Sequence, residues 1–291
     1  MTSLSGILNL AKPPGMTSRR ALDVVGRLIR PNRAGHAGTL DPLATGVLVI
    51  CIGQATRLIE YVQQMPKTYE ATFLLGRTSD TEDVEGTVVE LIDPPVPTRE
   101  QIDRAAAALV GDIMQRPPAF SALKVQGRRA YDLARAGEQV DLAPRPIQVY
   151  GIDVLAYDYP TLQVRIDCGS GTYVRSLGRD LAESLGNGAV MSALSRTAIG
   201  PFTLADACDP DTLRSADDVT DRMFPPVKAV AGKPTITIEE TELRTLRFGQ
   251  AIVRRDAPPD DEIVALDTTG KLVSLLKRIG PELWTPSRNF D

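Results

Sequence analysis

The chain has 291 residues, of which 43% are hydrophobic and 24% charged, a balance typical of a globular protein with one large and one small domain or with two ordinary domains. Its net charge of −4 excludes a chain that is basic throughout. No apolar run approaches the roughly 20 residues needed to cross a bilayer, and residues 1–10 lack a signal-peptide pattern, so we expect a cytoplasmic protein. The cysteines Cys51, Cys168 and Cys208 lie too far apart for a paired disulfide or zinc spacing.

The charge is unevenly distributed along the chain. Residues 1–60 carry seven Lys/Arg against three Asp/Glu, and residues 116–150 carry six against three. Residues 61–115 and 206–291 are acidic. Local basic surfaces are enough to engage phosphates even when the whole chain is acidic. The composition therefore permits nucleic-acid binding without requiring it.

Periodicity and capping residues predict the elements of the first part of the chain. Thr17 or Ser18 can cap a helix with one apolar face. Alternating apolar residues from Tyr69 to Leu75 predict a strand. The predicted elements are a strand over 7–10, a helix over 18–29, a strand over 47–52, a helix over 55–63, strands over 69–75 and 86–92, and a helix over 99–109.

The second part of the chain mixes strands and helices without a strict βαβ rhythm, which predicts an α+β fold. Residues 116–150 are irregular and basic, whereas residues 206–233 are polar and contain prolines, as a junction between domains would. The predicted elements are a short helix over 128–135, a strand over 162–168, a helix over 174–185, a strand within 189–202, strands over 235–238, 263–266 and 272–276, and a helix near 243–248.

The most informative stretch is 35–46, which reads GHAGTLDPLATG. Its glycines let the backbone bend closely, and Pro42 favours an extended conformation for Asp41. A carboxylate on such a loop, just before a buried strand, is well placed to act on a ligand. A lone aspartate in a loop of this composition is more often a structural turn residue, so the local pattern alone does not assign a catalytic role.

The loop is part of a longer pattern that resembles a known family. Residues 35–48 closely resemble the signature of the TruB family of pseudouridine synthases, and further blocks match that family in the same order over residues 6–202. These blocks are NLAKPPGMTS (9–18), KTYEA (67–71), GRTSDTEDVEG (76–86), PPAFSALK (117–124) followed by Gly127, Tyr131 and Arg135, GSGTYVRSL (169–177) and LSRT (194–197).

The resemblance implies a pseudouridine-synthase fold, with a mixed, largely antiparallel central sheet flanked by helices. It implies a catalytic domain over 1–227, in which an insertion at about 116–150 grips RNA largely by its shape. It also implies a small β-rich, PUA-like RNA-binding domain over 228–291. The match weakens in this last region, where glycines are sparse and residues 206–291 carry more acidic than basic side chains.

The resemblance further implies roles for individual residues. Asp41 matches the family's catalytic nucleophile, and Arg175 matches the arginine that pairs with it. Tyr69 matches the tyrosine that stacks on the target uracil and is a candidate for moving the proton at C5. The other matching positions are His36, which helps to hold the extruded nucleotide, Lys12 near the floor of the site, Leu194 in the base pocket, and the loop residues Gly38 and Thr39.

Elementary chemistry is consistent with these roles. An aspartate is ionised at neutral pH, so Arg175 is not needed to ionise Asp41 and would instead hold it in one pose. An aromatic platform returns about 1–3 kcal/mol per base, which is comparable with the few kcal/mol that extruding a base costs. Without the resemblance, Tyr69 would be interpreted as a core residue of its strand, and Arg175 equally well as a structural ion pair.

No metal or cofactor is expected. His36 is the only histidine, so it cannot build a metal site and is interpreted as an RNA contact and not as a base. The acidic run 80–85 lacks the full calcium-loop spacing and is interpreted as a solvated turn. Within this run Asp83 is a candidate for an internal salt bridge, with a partner that the sequence does not identify.

The reaction implied by the resemblance is the conversion of uridine 55 in the T loop of tRNA to pseudouridine. Asp41 could attack C1′, add to C6 or remove a sugar proton, and the sequence does not choose among these routes. The expected partner is the tRNA T stem-loop, with no membrane and no required protein partner, and the protein is expected to be a monomer.

Two alternatives remain beside this interpretation. A non-catalytic RNA-binding or tRNA-folding protein on the same scaffold is disfavoured by the joint presence of Asp41, Tyr69 and Arg175. A guide-dependent rRNA pseudouridine synthase of the dyskerin type is disfavoured by the insertion at 116–150 and by the absence of long basic tails. Activity on a naked tRNA transcript would separate the latter from a stand-alone enzyme.

Overall fold

The computed structural model describes residues 4–121, 123–125, 127–138 and 141–290, with the backbone alone at 124, 129, 134 and 135. The insertion expected at about 116–150 therefore lies partly outside the described residues. Among the positions that carry the resemblance, Ala122 and the side chains of Lys124 and Arg135 also lie outside them.

Residues 6–203 build a large sheet and the helices that pack on it. In chain order the elements are β1 (Gly6–Lys12), α1 (Ser18–Leu28), β2 (Ala34–His36), β3 (Thr45–Ile52), a 3-10 helix (Gly53–Leu58), α2 (Ile59–Gln64), β4 (Lys67–Leu75), β5 (Arg77–Ser79), β6 (Val88–Glu90), α3 (Arg99–Ala108), β7 (Gly111–Gln115), β8 (Lys124–Val125), β9 (Arg128–Arg129), α4 (Ala130–Arg135), β10 (Arg145–Asp158), β11 (Thr161–Cys168), α5 (Val174–Glu183), β12 (Ala189–Ile199) and β13 (Phe202–Thr203).

The remaining residues form a connecting segment and a second, smaller sheet. The elements are 3-10 helices over Leu204–Asp206 and Pro210–Thr212, α6 (Ala216–Thr220), a 3-10 helix over Pro226–Val230, β14 (Thr235–Thr237), α7 (Glu240–Arg247), β15 (Ile252–Val253), β16 (Glu262–Leu266), β17 (Leu272–Arg278) and β18 (Leu283–Asn289). The five strands of the smaller sheet lie in the order β14-β16-β17-β18-β15.

The large sheet is mixed and mainly antiparallel, as predicted. Its main path runs β1-β3-β12-β4-β11-β10-β7, with β2 added to β3 and β13 to β12. Along this path β3 and β12 pair in parallel, and every other neighbouring pair is antiparallel. The parallel register sets Thr45 opposite Ser195 and Gly46 opposite Arg196. The start of β3, and with it the loop over 35–46, is therefore held against the middle of β12.

Local sequence signals explain the principal elements. The Thr17 side chain accepts a hydrogen bond from the Arg20 backbone N–H at 3.1 Å and begins α1. Thr98 and Gln101 form the capping box predicted for α3. In β4 every second residue from Lys67 to Leu75 is buried, because alternate side chains of a strand point to opposite faces.

Among the described residues the large sheet has a main hydrophobic core and a second one against α1, the small sheet has its own, and the two sheets share a fourth cluster. Tyr69, Phe73 and Leu177 belong to the core of the large sheet, and the fully buried Trp284 belongs to that of the small sheet. A shared cluster joins buried residues of β3, such as Val49, to residues of β16, β17 and the C-terminal end. Burial across this junction stabilises the small sheet against the large one.

The structure corrects several element predictions. The longest strand, β10, lies where the periodicity predicts no strand, because few of its side chains are buried and its register is interrupted at Gly151. Its first residues, 145–150, fall inside the range expected for the insertion. The helix predicted over 99–109 is present as α3 but stops at Ala108, and Gly111 begins β7 with φ of +113°. Strand β18 was also missed, since its sequence contains Pro286 and mixes polar with apolar residues.

None of the helices in the described part of the chain combines the length and hydrophobicity that crossing a membrane would need.

Candidate active site

Asp41 lies in the loop between β2 and β3, and buried side chains hold this loop from beneath. The Ser18 hydroxyl accepts a hydrogen bond from the Leu40 N–H at 2.8 Å and lies 3.0 Å from the Leu40 carbonyl oxygen, to which it donates. Lys12 Nζ donates to the carbonyl oxygens of Met16 at 2.7 Å and Pro42 at 3.4 Å. Both residues that flank Asp41 are therefore fixed by groups that water barely reaches, Ser18 being 2% and Lys12 1% exposed.

Arg196 holds the same loop from the side of β12. Its guanidinium donates to the carbonyl oxygens of Gly38 at 3.2 Å, Thr39 at 3.4 Å and Val47 at 2.8 Å. Gly46 must be a glycine here, because its φ is +100° and a Cβ would lie 2.3 Å from the Arg196 carbonyl oxygen. The close contact between β3 and β12 thus brings the loop within reach of a buried guanidinium.

Arg175, at the start of α5, pairs with Asp41. Its Nη2 lies 3.0 Å from Asp41 Oδ2, and the Arg175 side chain is 8% exposed whereas that of Asp41 is 39% exposed. Arg175 Nη1 lies 3.5 Å from Asp83 Oδ2 and donates to the Thr81 carbonyl oxygen at 2.6 Å. Arg175 is thereby fixed between two carboxylates, and Asp83 has the salt-bridge partner that the sequence left open. The arrangement orients Asp41 while leaving part of its carboxylate accessible.

The exposed part of Asp41 faces a cavity of about 340 Å³. Tyr69, Arg175 and Leu194 line it together with Asp41, as do Gly38 and Thr39. Asp41 is the one carboxylate among the described residues that line this cavity, whereas four of the lining side chains are basic. These are Lys67, Arg145, Arg175 and Arg196. The volume falls within the roughly 300–1,000 Å³ range of small-molecule pockets, and the positive lining favours an anionic ligand or leaving group.

Tyr69 lies in the middle of β4, between β11 and β12. Its side chain is 7% exposed. Burial raises the pKa of the Tyr69 phenol, and the guanidinium of Arg196, its cross-strand neighbour, acts in the opposite direction by its charge and by a hydrogen bond. The phenol is therefore neutral at physiological pH, and the ring lies at the wall of the cavity that Asp41 enters.

The turn 169–173 forms another wall of the cavity. It is held by Gln115, which immediately precedes the predicted insertion, and by Arg145 within it. The buried Gln115 side chain accepts from the Tyr173 N–H at 2.9 Å and donates to the Tyr173 carbonyl oxygen at 3.0 Å. Arg145 donates to the Gly171 carbonyl oxygen, and its guanidinium lies 5.0 Å from the centre of the Tyr173 ring. The base of the insertion is thus in direct contact with the segment that leads into Arg175.

Two predicted site residues do not line the cavity. His36 lies at the end of β2, paired with Ile50, and its buried Nδ1 has no hydrogen-bond partner among the described residues. Burial, and then the charge of Arg196, lowers the pKa of His36. Lys12 lies beneath the loop and not in the cavity. Burial lowers the pKa of Lys12, and the charge of Asp41 acts to raise it. The structure gives Lys12 the role of a loop anchor.

The sequence analysis assigns no individual role to three basic residues that the structure brings to the cavity. One of them, Arg145, donates to the Gly171 carbonyl oxygen in the turn 169–173. Arg196 contributes to the loop contacts above. Lys67 lies on the inward face of β4, two residues before Tyr69, and donates to the carbonyl oxygens of Gln63 and Met65, each at 2.7 Å. Burial lowers the pKa of Lys67 to about 8. The sequence contains one indication of this. Lys67 occupies a position that the alternation of β4 predicts to be buried, and a buried lysine needs hydrogen-bond partners in the fold.

A larger cavity of about 550 Å³ is lined in part by Arg179 and Glu183 of α5. Its lining includes the Arg179–Glu82 ion pair but none of the residues predicted for the site. Within the described ranges, no three His, Cys, Asp or Glu side chains gather as a metal site would require. The smaller cavity is the candidate active site, because it combines a positioned carboxylate, an arginine that orients it and an aromatic wall. Such a site suits covalent or acid–base chemistry on a planar ring.

Comparison with known proteins identifies the family of this chain. The family model described as "TruB family pseudouridylate synthase (N terminal domain)" matches residues 26–174. The protein named tRNA pseudouridine synthase B of Xylella fastidiosa is 43% identical over 99% of this chain and 96% of its own length. The protein of the same name from Corynebacterium aurimucosum is 39% identical over 97% of this chain and 95% of its own length. The chain belongs to the TruB family of pseudouridylate synthases.

Solved structures support the fold. The structure titled "Crystal Structure of a Cbf5-Nop10-Gar1 Complex" contains a chain that matches with a TM-score of 0.71 and 25% identity, covering 95% of this chain and 79% of that one. A chain in "Structure of H/ACA RNP bound to a substrate RNA containing 2'-deoxyuridine" matches with a TM-score of 0.73 and 23% identity, over 98% of this chain and 85% of that one. The predicted pseudouridine-synthase fold is confirmed.

Proposed function

We propose that this protein is a tRNA pseudouridine synthase that converts uridine 55 in the T loop of tRNA to pseudouridine, with Asp41 as the nucleophile. The observation that carries this proposal is the pairing of Asp41 with Arg175 at 3.0 Å on the wall of a cavity that Tyr69 also lines. Family membership and the names of the relatives support the substrate class.

The proposed reaction is an isomerisation of one nucleotide. The N1–C1′ bond breaks, the uracil turns within the cavity, a C5–C1′ bond forms, and the proton at C5 is lost while N1 gains one. No redox step or external energy is required, so the protein needs to supply only a nucleophile, a fixed geometry and a place for the base. We propose no metal or cofactor.

Asp41 is suited to begin this sequence. Arg175 occupies one of its oxygens and, with Asp83 behind it, restricts the carboxylate to one orientation. A carboxylate oriented in advance approaches C1′ or C6 without the entropy cost of a free side chain. The positive side chains around it also favour the negative charge that uracil gains as the glycosidic bond breaks.

Tyr69 is suited to receive the base. A uridine inside a folded loop must leave its stack before it can reach Asp41, and stacking on the Tyr69 ring would offset part of this cost. The Tyr69 phenol is neutral and carries its own proton. It is a candidate for moving the proton at C5 by a relay, in which its oxygen accepts the C5 proton while the hydroxyl proton passes to another acceptor. Leu194, 9% exposed, provides an apolar contact on the same cavity wall.

The loop residues are proposed to bind the RNA around the extruded nucleotide. Gly38 and Thr39 belong to the cavity wall and offer backbone groups there. His36 lies at the edge of the same loop and is proposed to contact the nucleotide from outside the cavity. Lys12 is proposed to act through its hold on Pro42, at the floor of the site.

We propose that residues 1–227 form the catalytic domain and 228–291 a PUA-like RNA-binding domain. The insertion at about 116–150 is proposed to grip the T loop, which is consistent with its basic character and with the contacts of Arg145 to the turn 169–173. The protein is proposed to act as a cytoplasmic monomer without a protein partner. The C-terminal domain would add auxiliary RNA contacts.

The test uses an unmodified tRNA transcript and purified protein, with pseudouridine mapped by nucleotide position. We expect conversion of uridine 55 without a guide RNA or partner protein, and none in a matched transcript carrying cytidine at that position. Conversion that appears only when a guide RNA is added would favour the guide-dependent enzyme. Tight binding with no conversion of any uridine would favour the RNA-folding protein.

A further inference from the structure

Arg196 is a buried cation without an ion-pair partner. It is 1% exposed, and among the described residues no carboxylate lies within ion-pair distance of it. Removing a guanidinium from water is costly unless its donors are satisfied. Here the compensation comes from three backbone carbonyl oxygens, those of Gly38, Thr39 and Val47.

These carbonyls belong to the two arms of the Asp41 loop. Gly38 and Thr39 precede Asp41, whereas Val47 follows it on β3. A guanidinium is planar and carries its donors in a rigid fork, so binding on both arms fixes their separation. Arg196 therefore limits the opening of the loop that presents Asp41.

The same side chain is next to Tyr69. The register of β4 with β12 sets Arg196 directly opposite Tyr69, and the charge of the guanidinium acts to lower the pKa of the Tyr69 phenol against the effect of burial. Arg196 also contributes to the cavity wall. One guanidinium thus contacts the loop of the nucleophile, and the residue that carries it is paired with Tyr69 at the same cavity.

We propose that Arg196 is a positioning residue that sets the distance between the Asp41 loop and the Tyr69 ring, and so the width of the slot that receives the uracil. The proposal rests on the proposed function, since it assigns the slot to a uracil. Arg175 orients the carboxylate of Asp41, whereas Arg196 fixes the backbone that carries it and the ring opposite. The two arginines therefore fix different features of the same site: Arg175 the orientation of the carboxylate, and Arg196 the distance between the loop and the ring.

The first test is Arg196→Lys, measured in single turnover on the tRNA transcript, with RNA affinity and thermal midpoint recorded in parallel. A lysine retains the charge but is a point donor that cannot bridge both arms of the loop. We expect the rate of conversion to fall about 100-fold, because a displacement of about 1 Å at a reacting group has that effect. RNA affinity should stay within about threefold. A rate within threefold of the wild type would overturn the proposal.

A second variant separates position from fold. Arg196→Ala leaves a space that opens to the cavity, so free guanidinium ion at millimolar concentration can enter it. We expect guanidinium to restore part of the rate of Arg196→Ala, whereas potassium and urea at equal concentration do not. Arg99→Ala, which removes an exposed guanidinium on α3, is the matched control and should show a wild-type rate with no rescue. A folded, RNA-binding Arg196→Ala protein that guanidinium does not rescue would contradict the proposal.

A third measurement does not depend on activity. Hydrogen exchange of Arg196→Lys should be faster than wild type at residues 37–45 and around Tyr69, and unchanged in the small sheet. If wild-type protein converts no uridine but the exchange pattern appears, the proposed function is wrong while the positioning role stands. Uniformly faster exchange over the whole chain would show that Arg196 serves stability alone.

Discussion

The Asp41 loop and the C-terminal sheet are attached to the protein in opposite ways. The loop is held by Ser18, Lys12 and Arg196, all buried, through hydrogen bonds to backbone carbonyl and amide groups. The C-terminal sheet packs on the large sheet through the shared apolar cluster. It also makes exposed polar contacts with it, such as the ion pair between Arg288 and Glu60. Buried donors permit one geometry, since any displacement leaves a polar group unsatisfied, whereas exposed pairs exchange their partners for water at little cost.

This difference matches the tasks that we propose for the two regions. A nucleophile must stay within a fraction of an ångström of its productive position. An auxiliary RNA-binding sheet needs to tolerate variation in the RNA that it meets. If the contacts set the tasks, substitutions in the two regions should differ as sharply in unfolding free energy and in reaction rate as the regions differ in contacts.

The largest effect on stability is expected at Arg175. Arg175→Met leaves the buried Asp83 without its cationic partner, and breaking a buried pair in this way costs about 3–5 kcal/mol. Conversion should fall at least about 100-fold, because Asp41 loses its orientation. Denaturant unfolding and single-turnover rates measure the two effects.

The matched control for Arg175 is Arg288→Met in the C-terminal region. Its partner Glu60 is about half exposed, so the loss should be about 1 kcal/mol or less, with an unchanged rate. Equal losses of unfolding free energy in the two variants would remove the contrast between the regions.

Tyr69 sharpens the comparison within the active site. Tyr69→Phe should keep stacking and RNA affinity while losing any step that depends on the hydroxyl. Tyr69→Ala should also weaken RNA binding, by about 1–3 kcal/mol of lost stacking. Rates and affinities of both variants separate the ring from its hydroxyl, and a full-rate Phe variant would rule out the hydroxyl as the carrier of the C5 proton.

Lys67 predicts a pH dependence of stability. Burial lowers the pKa of Lys67 from 10.5 to about 8. Between about pH 8 and pH 10.5, this lysine is therefore protonated in the unfolded chain and largely neutral in the folded chain. The free energy of unfolding should therefore rise as pH increases through this range. Lys67→Met should flatten that rise, and the slope of unfolding free energy against pH measures it. An identical slope in wild type and variant would show that Lys67 is not the group responsible.

The smallest expected effect concerns the salt dependence of RNA binding. Affinity for tRNA should fall as salt rises, because phosphate contacts release counterions. Arg116→Ala, at the exposed base of the insertion, should reduce the slope of log affinity against log salt by about 1. A flat salt response of the wild type would count against a basic RNA-binding groove.

The elements with strong local signals could be predicted from the sequence. The cap of α1, the capping box of α3 and the alternation in β4 and β11 depend on neighbouring residues, and each is present. Strand β10 could not be predicted in this way. Its side chains are largely exposed, and it is placed by pairing with β7 and β11, which sequence periodicity does not report.

The candidate site, like the fold, could be predicted only in part from the sequence. Asp41, Tyr69, Arg175 and Leu194 were identified through the resemblance, and the structure brings them to one cavity. The contact of Arg196 with Gly38 spans 158 positions of the chain, so no local spacing could indicate it. The sequence did not identify Arg175 as the partner of Asp83 for the same reason. The turn 80–85 and the start of α5 come together only in the folded protein.

The most direct test of the central claim compares wild-type protein with Asp41→Asn on the same unmodified tRNA transcript, with pseudouridine mapped by position. Asp103→Asn, an exposed aspartate on α3, is the matched control. We predict that wild type and control convert uridine 55, while Asp41→Asn binds the tRNA with similar affinity and converts none. Conversion by Asp41→Asn at a rate near that of wild type would contradict the assignment of Asp41 as the nucleophile.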